Sequence, residues 1–513
     1  MPQPTESFVD RLNTNIHTFP DKLAIEFLDP PLQQVTYAEL DAITRRCMAY
    51  LANLGVQPGD KVAVQLPKCL EFIVLHLAAL RIGAVTVPLN LAYPPAELIY
   101  FLDDSEARLF FADESKRQDI QKIIPRLTAL EGCTFLDPRA PHKFEALIAQ
   151  TTLHDPSAPP FIYDIDTTAL MIYTSGTTGR PKGAQLTISN LTSNLYALHT
   201  AWGWQPDDLL LHGLPLFHLH GLLVAFHGAL YAGASMVALR NFDARRVLRF
   251  LVERNCTVFM GVPTIYQRIL ALPDAVSYDL SSMRLLTSGS DRLPDETFLA
   301  FQETFGHTLL ERYGMTETGM NISNPLEGER RMGSVGLPLP GVEVRIVDPE
   351  TDEPLPDGKV GAILIRGPNV FAGYWRQPEK TAESFSPDGW LRTGDLGLRE
   401  SDGYFTLKGR ANDLVITGGL NVYPAEVERV LSENEAVKTS AVIGLPDTEW
   451  GERIVAAVVI QAGASASSEE LIAFCRKRLA AYKCPKVMIF VESLPRNAMG
   501  KVQKGAIQDL VLG

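Results

Sequence analysis

The sequence predicts an α/β fold: a large, multi-layer N-terminal body of two α/β subdomains plus a β-rich subdomain, followed by a small α+β C-terminal domain. Three observations predict it. Strand-like and helix-like segments alternate through the first half of the chain and beyond. Between Gly333 and Lys408 they give way to short alternating strands divided by Gly, Pro and Asp turns. From Arg410 onward the chain balances 12 basic against 12 acidic residues, whereas the first 409 residues carry 35 against 48. At 513 residues the chain is long enough for more than one domain and a large core.

The alternation begins with KVAVQL (61–66), which reads as a strand, and CLEFIVLHLAALRIG, which reads as an amphipathic helix. AVTVPL (84–89), a helix from Pro95 to Asp104 and ARLFFAD (107–113) continue it. A second series runs through LLLHGLP, SMVALR, TVFMGVP and MRLLTSGS with helical stretches between them, so both series predict parallel layers. The β-rich subdomain (about 333–408) contains GVEVRIVDPET, GAILIRG and DGYFTLKG. Beyond Gly409-Arg410 follow a helix from Pro424 to Asn434, strands KTSAVIGL and RIVAAVVIQ, and a serine-capped helix SSEELIAFCRKRLAAY. The domains expected are therefore 1–409 and 410–513, with the join at about 409–413.

A net charge of -13 argues against a general nucleic-acid or anionic-membrane binder, so a phosphate-bearing ligand must be met locally. The six cysteines are scattered with no CxxC pair, which suits unpaired thiols in a reducing compartment, the cytoplasm by default. The N-terminal segment lacks a signal peptide's apolar stretch, and the longest apolar segment, Leu222 to Leu239, is interrupted by His227 and two glycines. Neither a signal peptide nor a transmembrane helix is expected.

The strongest local signal is YTSGTTGRPKG, Tyr173 to Gly183, directly after the apolar TALMI. Glycines let backbone N–H groups approach a ligand, four hydroxyls can donate to phosphate oxygens, and Lys182 supplies charge, so the run suits a nucleotide's phosphates. It is not GxxxxGK[ST], because Gly183 follows Lys182, and no GxGxxG opens a strand–turn–helix unit. A P-loop NTPase and a dinucleotide-dependent dehydrogenase are both disfavoured.

YTSGTTGRPKG resembles the phosphate loop of the adenylate-forming superfamily, which comprises acyl-CoA synthetases, nonribosomal-peptide adenylation domains and luciferases. Further matches follow in the family's order: YGMTET from Tyr313, WLRTGD ending at Asp395, the hinge Gly409-Arg410, and PRNAMGK ending at Lys501. The resemblance spans essentially the whole chain. It implies the acyl-CoA synthetase-like fold with a mobile C-terminal lid domain, and ATP, Mg²⁺ and coenzyme A as cofactor and co-substrates.

Residue roles follow from the matched positions. Thr174, Ser175, Gly176, Thr177, Thr178, Gly179 and Lys182 are expected at ATP, as are Gly289, Ser290, Arg312, Tyr313, Gly314, Met315, Thr316, Asp395, Arg410 and Lys501. Glu317, a carboxylate suited to Mg²⁺, and Thr178 are the expected metal residues. Tyr313 offers a face to adenine, Thr316 a hydroxyl to the α-phosphate, and Asp395 an acceptor for both ribose hydroxyls. Lys501, Thr178, Glu317 and His218 are the expected catalytic set, with Lys501 neutralising charge as pyrophosphate leaves. The motif around Lys501 also resembles sites of protein lysine acetyltransferases, and acetylation there would remove that charge. Asn412 stands where the family often has an Asp or Lys pivot, and Gly418, Gly419 and Leu420 match the segment that lines the pantetheine tunnel.

The acid pocket is read from LPLFHLHGLL, YGMTETGMNISNP, GPNVFAGYWRQPEKT and ITGGLNVYP, which look most like the malonyl-CoA synthetase branch. A dicarboxylate needs donors for its distal carboxylate, and the candidates are His218, His220, Arg268, Ser288 and Asn324. SGSDRLP departs from that branch's SGSAPL, with Asp291 and Arg292 replacing small apolar residues. The activity implied is an AMP-forming acid–thiol ligase making malonyl-CoA or methylmalonyl-CoA. Alternatives are a short- or medium-chain or aromatic monocarboxylate–CoA ligase, an acyl-AMP ligase loading a carrier protein, and a non-catalytic nucleotide-binding relative.

Overall fold

The computed structural model describes residues 6–149, 164–174, 180–417, 420–447, 450–496 and 502–512. It divides into two compact units, residues 1–343 with 365–391, and residues 344–364 with 392–513. The residues of the β-rich segment, 333–408, are thus divided between the two units, 344–364 and 392–408 grouping with the C-terminal residues. The join at 409–413 concerns where the chain would pivot, which is a separate question.

The first unit holds two sheets. Nine strands run in the order Leu337–Pro338, Gly319–Ser323, Leu310–Met315, Leu285–Ser288, Val258–Gly261, Leu209–His212, Ser235–Ala238, Leu23–Phe27 and Gln33–Thr36. The six from Leu310–Met315 to Leu23–Phe27 are parallel, and the edges are closed by antiparallel pairs. The seven-stranded sheet runs Gly373–Tyr374, Lys182–Thr187, Thr168–Thr174, Val85–Pro88, Lys61–Gln65, Ala107–Asp113 and Gly132–Leu136. Parallel strands joined by helices bury both faces, which is why these segments read as continuous apolar runs.

The helix Leu70–Arg81 departs from expectation: every residue is buried, including Glu71, His76 and Arg81. It is not amphipathic, because neighbouring elements cover what would have been its polar face. Arg81 is matched there by Asp41 at 2.5 Å, and His76 by Thr86 at 2.9 Å. The apolar segment from Leu222 is likewise divided, into a π-helical stretch His220–His227 and a short helix Gly228–Ala232. No helix among the described residues is long and apolar enough to cross a membrane. The six cysteines are free, five of them buried.

In the second unit, Glu343–Val347, Gly361–Arg366, Leu391–Arg399 and Phe405–Arg410 form a four-stranded sheet. A five-stranded sheet is centred on the antiparallel pair Val437–Asp447 and Gly451–Ile460. Helix Pro424–Ser432 follows its proline start, and Ser468–Arg476 is capped by Ser467 with Glu470 in a reciprocal capping box.

Candidate active site

The glycine-rich motif joins two antiparallel strands, Thr168–Thr174 and Lys182–Thr187, with Thr174 directly opposite Lys182. The ends of the phosphate loop are therefore pinned by sheet pairing. A Cβ at Gly183 would meet the Met171 sulfur at 2.7 Å, so a larger residue there would have to displace that side chain. Ser175, Gly176, Thr177, Thr178 and Gly179 lie outside the described residues.

Glu317 sits in the tight turn between Leu310–Met315 and Gly319–Ser323. Gly319 has φ +64°, and a Cβ at Gly314 would lie 2.2 Å from the Gly319 carbonyl oxygen, so glycine is needed at both ends of the turn. Asn194 braces it by donating to the Met320 carbonyl (2.7 Å) and accepting from the Met320 N–H (3.1 Å). Asn369 donates to the Thr318 carbonyl at 2.9 Å. Glu317 is buried, and its Oε1 accepts from the Tyr374 hydroxyl at 2.8 Å. Lys182 Nζ lies 4.0 Å above the same tyrosine's ring. Tyr374 was missed among the sequence candidates, although it lies in the quoted segment GPNVFAGYWRQPEKT. Tyr313 is buried on the strand leading into the turn, and Met315 and Thr316 are half-buried at its start.

The cluster around His218 and His220, expected at the acid, is built differently. Strand Leu209–His212 ends in a loop that carries His218 into the π-helical stretch beginning at His220, a geometry that recurs at functional sites. A Cβ on Gly221 would lie 2.1 Å from the Pro215 carbonyl oxygen, so glycine lets loop and helix touch. His212 Nε2 donates to the Gly221 carbonyl at 2.9 Å, and Lys68 Nζ donates to the His212 carbonyl at 3.0 Å. Ser290 adopts φ +69°, a strained conformation for a non-glycine residue, and its Oγ lies 3.3 Å from His220 Nδ1. The Nε2 atoms of His218 and His220 are buried with no hydrogen-bond partner. Burial pushes His218 down to about 4 and holds His220 well below the ordinary histidine value, so both rings are neutral.

Arg312 lies among these groups, 3% exposed, with Nε and Nη2 unpartnered. Burial brings it down to about 10, with Tyr266 and Glu311 acting in the opposite direction, so it stays a cation at neutral pH. Gly289 covers it: a Cβ there would lie 2.2 Å from Nη1. The adjacent Glu311 is pushed up to about 7 by burial, and its Oε1 accepts from the Leu293 N–H at 2.9 Å. Ser288 Oγ is buried without a partner.

Two acid-pocket candidates have other occupations. Asn324 donates to the Glu311 carbonyl (2.9 Å) and the Ser334 carbonyl (2.7 Å), and accepts from the Arg331 N–H (3.0 Å). Arg268 is exposed near the end of helix Pro263–Leu270, its guanidinium 5.8 Å from the Phe242 ring centroid.

In the second unit, Asp395 and Arg410 lie opposite each other on antiparallel strands. Arg410 Nε is 2.8 Å from Asp395 Oδ1, and Nη1 donates to the Thr393 carbonyl at 3.1 Å. The Asp395 N–H donates to Thr393 Oγ1 at 3.0 Å, next to Gly394 at φ +73°. Asn412 falls in the short 3₁₀ turn Ala411–Asp413, and Leu420 is exposed opposite Thr417. Gly418, Gly419 and Lys501 lie outside the described residues.

Comparison with known proteins places this geometry. The model of the family described as AMP-binding enzyme matches residues 12–375, and that of the AMP-binding enzyme C-terminal domain matches 426–501. The mitochondrial malonate–CoA ligase ACSF3 of Mus musculus is 36% identical over 493 residues, 89% of this chain and 83% of the relative. A sulfoacetate–CoA ligase of Cupriavidus necator is 38% identical over 455 residues, 88% of each. The crystal structure of ATP-bound MatB from Rhodopseudomonas palustris is 42% identical and superposes with a TM-score of 0.91, covering 98% of both chains.

Proposed function

The chain belongs to the AMP-binding enzyme family, and from that premise we propose that it is an ATP-dependent ligase making malonyl-CoA from malonate, with methylmalonate as a tolerated variant. Arg312 carries this reading: a guanidinium buried to 3%, with two nitrogens that have no hydrogen-bond partner among the described residues and no ion pair to the adjacent Glu311, is a desolvated cation short of an anion. Breaking a buried ion pair costs about 3–5 kcal/mol, so a substrate that supplies the missing anion is strongly selected. The distal carboxylate of malonate fits, with the His218 and His220 Nε2 atoms as further donors. The names of these two relatives support it, since malonate and sulfoacetate each carry a second anionic group. A monocarboxylate would leave the arginine unpaired.

In the first step one oxygen of the reacting carboxylate attacks the α-phosphorus of ATP, and the bond to the pyrophosphate oxygen breaks. Lys182 holds phosphate charge, Tyr313 stacks on adenine, and Asp395 accepts from the ribose with Arg410 fixing its orientation. Lys501 meets the charge that develops on the bridging oxygen. In the second step the CoA thiol attacks the acyl carbonyl, AMP leaves, and the thiol proton is released. The segment holding Gly418, Gly419 and Leu420 lines the entry for the thiol, with Asn412 at the pivot.

No group of three or more His, Cys, Asp or Glu side chains among the described residues is arranged to hold a metal. One hard carboxylate is what a magnesium ion held mainly by ATP phosphates and water requires, so Glu317, with Thr178, fits that ion. Magnesium would neutralise phosphate charge in the complex. The six free thiols support a reducing compartment, and we read it as the cytoplasm.

The test is pyrophosphate release with Mg-ATP across malonate, methylmalonate, acetate, octanoate, benzoate and oxalate, each with and without CoA, with the thioester read by mass. Selective malonyl-CoA formation is expected. Turnover confined to monocarboxylates would remove the malonate assignment, and pyrophosphate without thioester would redirect the search to a carrier-protein thiol. In the same assay Lys501→Ala is expected to lower adenylate formation about 10²–10³-fold. Thioester formation from supplied malonyl-AMP should be largely spared, and equal loss of both steps would refute the assigned division of labour.

A further inference from the structure

Resting on that reading, we propose that Tyr374 is a positioning residue that holds the turn carboxylate Glu317 and the phosphate-loop lysine Lys182 as one oriented unit.

Two parts of one side chain make the two contacts. The Tyr374 hydroxyl donates to Glu317 Oε1 at 2.8 Å, with tyrosine and glutamate 8% and 6% exposed. Lys182 Nζ lies 4.0 Å from the ring centroid, within range of a cation–π contact. Opposite charges so close to one site would otherwise be drawn into a direct ion pair. Among the described residues no such pair joins them. Each is instead held by a neutral group, which leaves their charges available to a ligand.

The backbone supports the same coupling. Tyr374 pairs with Ala184 in the strand that begins at Lys182, and the Trp375 N–H donates to the Gly183 carbonyl at 2.8 Å. On its other side the Phe371 N–H donates to the Glu317 carbonyl at 2.8 Å, and Asn369 binds the Thr318 carbonyl. Residues 369–375 thus form a strap stitched to both the phosphate-loop strand and the carboxylate turn. The Tyr374 N–H is itself fixed by Thr381 Oγ1 at 2.9 Å. A carboxylate whose rotamer is set by a buried donor is pre-oriented for a metal–phosphate ligand, and loss of such partners typically costs ten- to a hundredfold in metal affinity.

The experiment reads thermal stabilisation of the full-length protein by saturating ATP as MgCl₂ is titrated, with an ATP-only arm in EDTA. Tyr374→Phe keeps the ring and removes the hydroxyl. It is expected to raise the half-maximal Mg²⁺ concentration about tenfold and leave the EDTA arm unchanged. Tyr374→Leu removes the ring as well, and should also weaken stabilisation by ATP alone. In a Glu317→Gln background, Tyr374→Phe should add no further shift. An unchanged Mg²⁺ midpoint in Tyr374→Phe, or full additivity with Glu317→Gln, overturns the inference alone. A wild-type protein that ATP and MgCl₂ fail to stabilise overturns the ligase reading with it. In kinetics, Tyr374→Phe should raise the KM for Mg-ATP and leave that for malonate unchanged, and a shift in the malonate KM instead would count against the role.

Discussion

On the phosphate side of the first unit, Glu317 and Lys182 are already engaged by Tyr374, and the turn that carries Glu317 is braced by Asn194 and Asn369. On the side proposed to meet the acid, Arg312, His218 and His220 are buried with nitrogens that have no hydrogen-bond partner among the described residues. The two regions spend stability differently. ATP is common to the whole family, and a site for it gains by being oriented in advance. A site that must choose among acids gains by leaving a desolvated charge unmatched until the right partner arrives, because wrong partners then incur the full cost of an unpaired ion.

The largest expected effect tests that contrast directly. Arg312→Met should lower kcat/KM for malonate about a thousandfold, equivalent to the ~3–5 kcal/mol of a broken buried pair, and raise relative turnover of a monocarboxylate such as butyrate. The same substitution should leave the unliganded protein as stable as before or more stable by about 1–4 kcal/mol, measured by denaturant unfolding. A large stability loss with unchanged acid preference would place Arg312 among the structural residues.

Asn324 supplies the converse case. Its three backbone partners predict that Asn324→Ala costs about 2–3 kcal/mol of stability, through stranded groups at Glu311, Ser334 and Arg331. The ratio of malonate to monocarboxylate turnover should not change. A changed ratio would return Asn324 to the acid pocket.

The smallest effect is on pH dependence. Burial depresses His76 and His212 to about 3 and His218 to about 4, and holds His220 and His227 well below the ordinary value. As pH falls through about 6.5 the unfolded chain takes up protons that the folded chain refuses. The histidines' contribution to stability is therefore complete above that pH and is lost progressively to about pH 3 and below, while Glu311, held up at about 7, contributes in the opposite sense as pH falls from there. His76 and His227 touch each other through Nε2 atoms 2.7 Å apart. His227→Gln should flatten the acid slope by about 1.4 kcal/mol per pH unit and leave acid preference alone, whereas His218→Gln should change both. Identical behaviour of the two would erase the distinction between a packed histidine and a ligand-facing one.

Legibility in the sequence followed contiguity. Lys182, Glu317, Asp395 and Arg410 stood out because each belongs to a short run whose residue types carry the chemistry together. The parallel layers stood out because strands covered on both faces are continuous apolar runs. Tyr374 did not, since its meaning depends on Glu317 in a turn 57 positions away. Arg312 was read as an ATP residue because it adjoins YGMTET, and its burial with two unpartnered nitrogens, which only the fold shows, is what supports the proposal that it meets the acid. Helix Leu70–Arg81 looked amphipathic because Glu71, His76 and Arg81 are polar, and nothing local announces the neighbours that enclose them.

The sequence alone determined the α/β architecture, the superfamily and the order of the nucleotide motifs, because these rest on local periodicity and on short runs of chemically matched residues. The tertiary structure alone decided which polar groups are satisfied and which are left wanting. That distinction separates Asn324 from Arg312 and brings Tyr374 into the site, and it depends on burial and on partners that folding brings from distant parts of the chain.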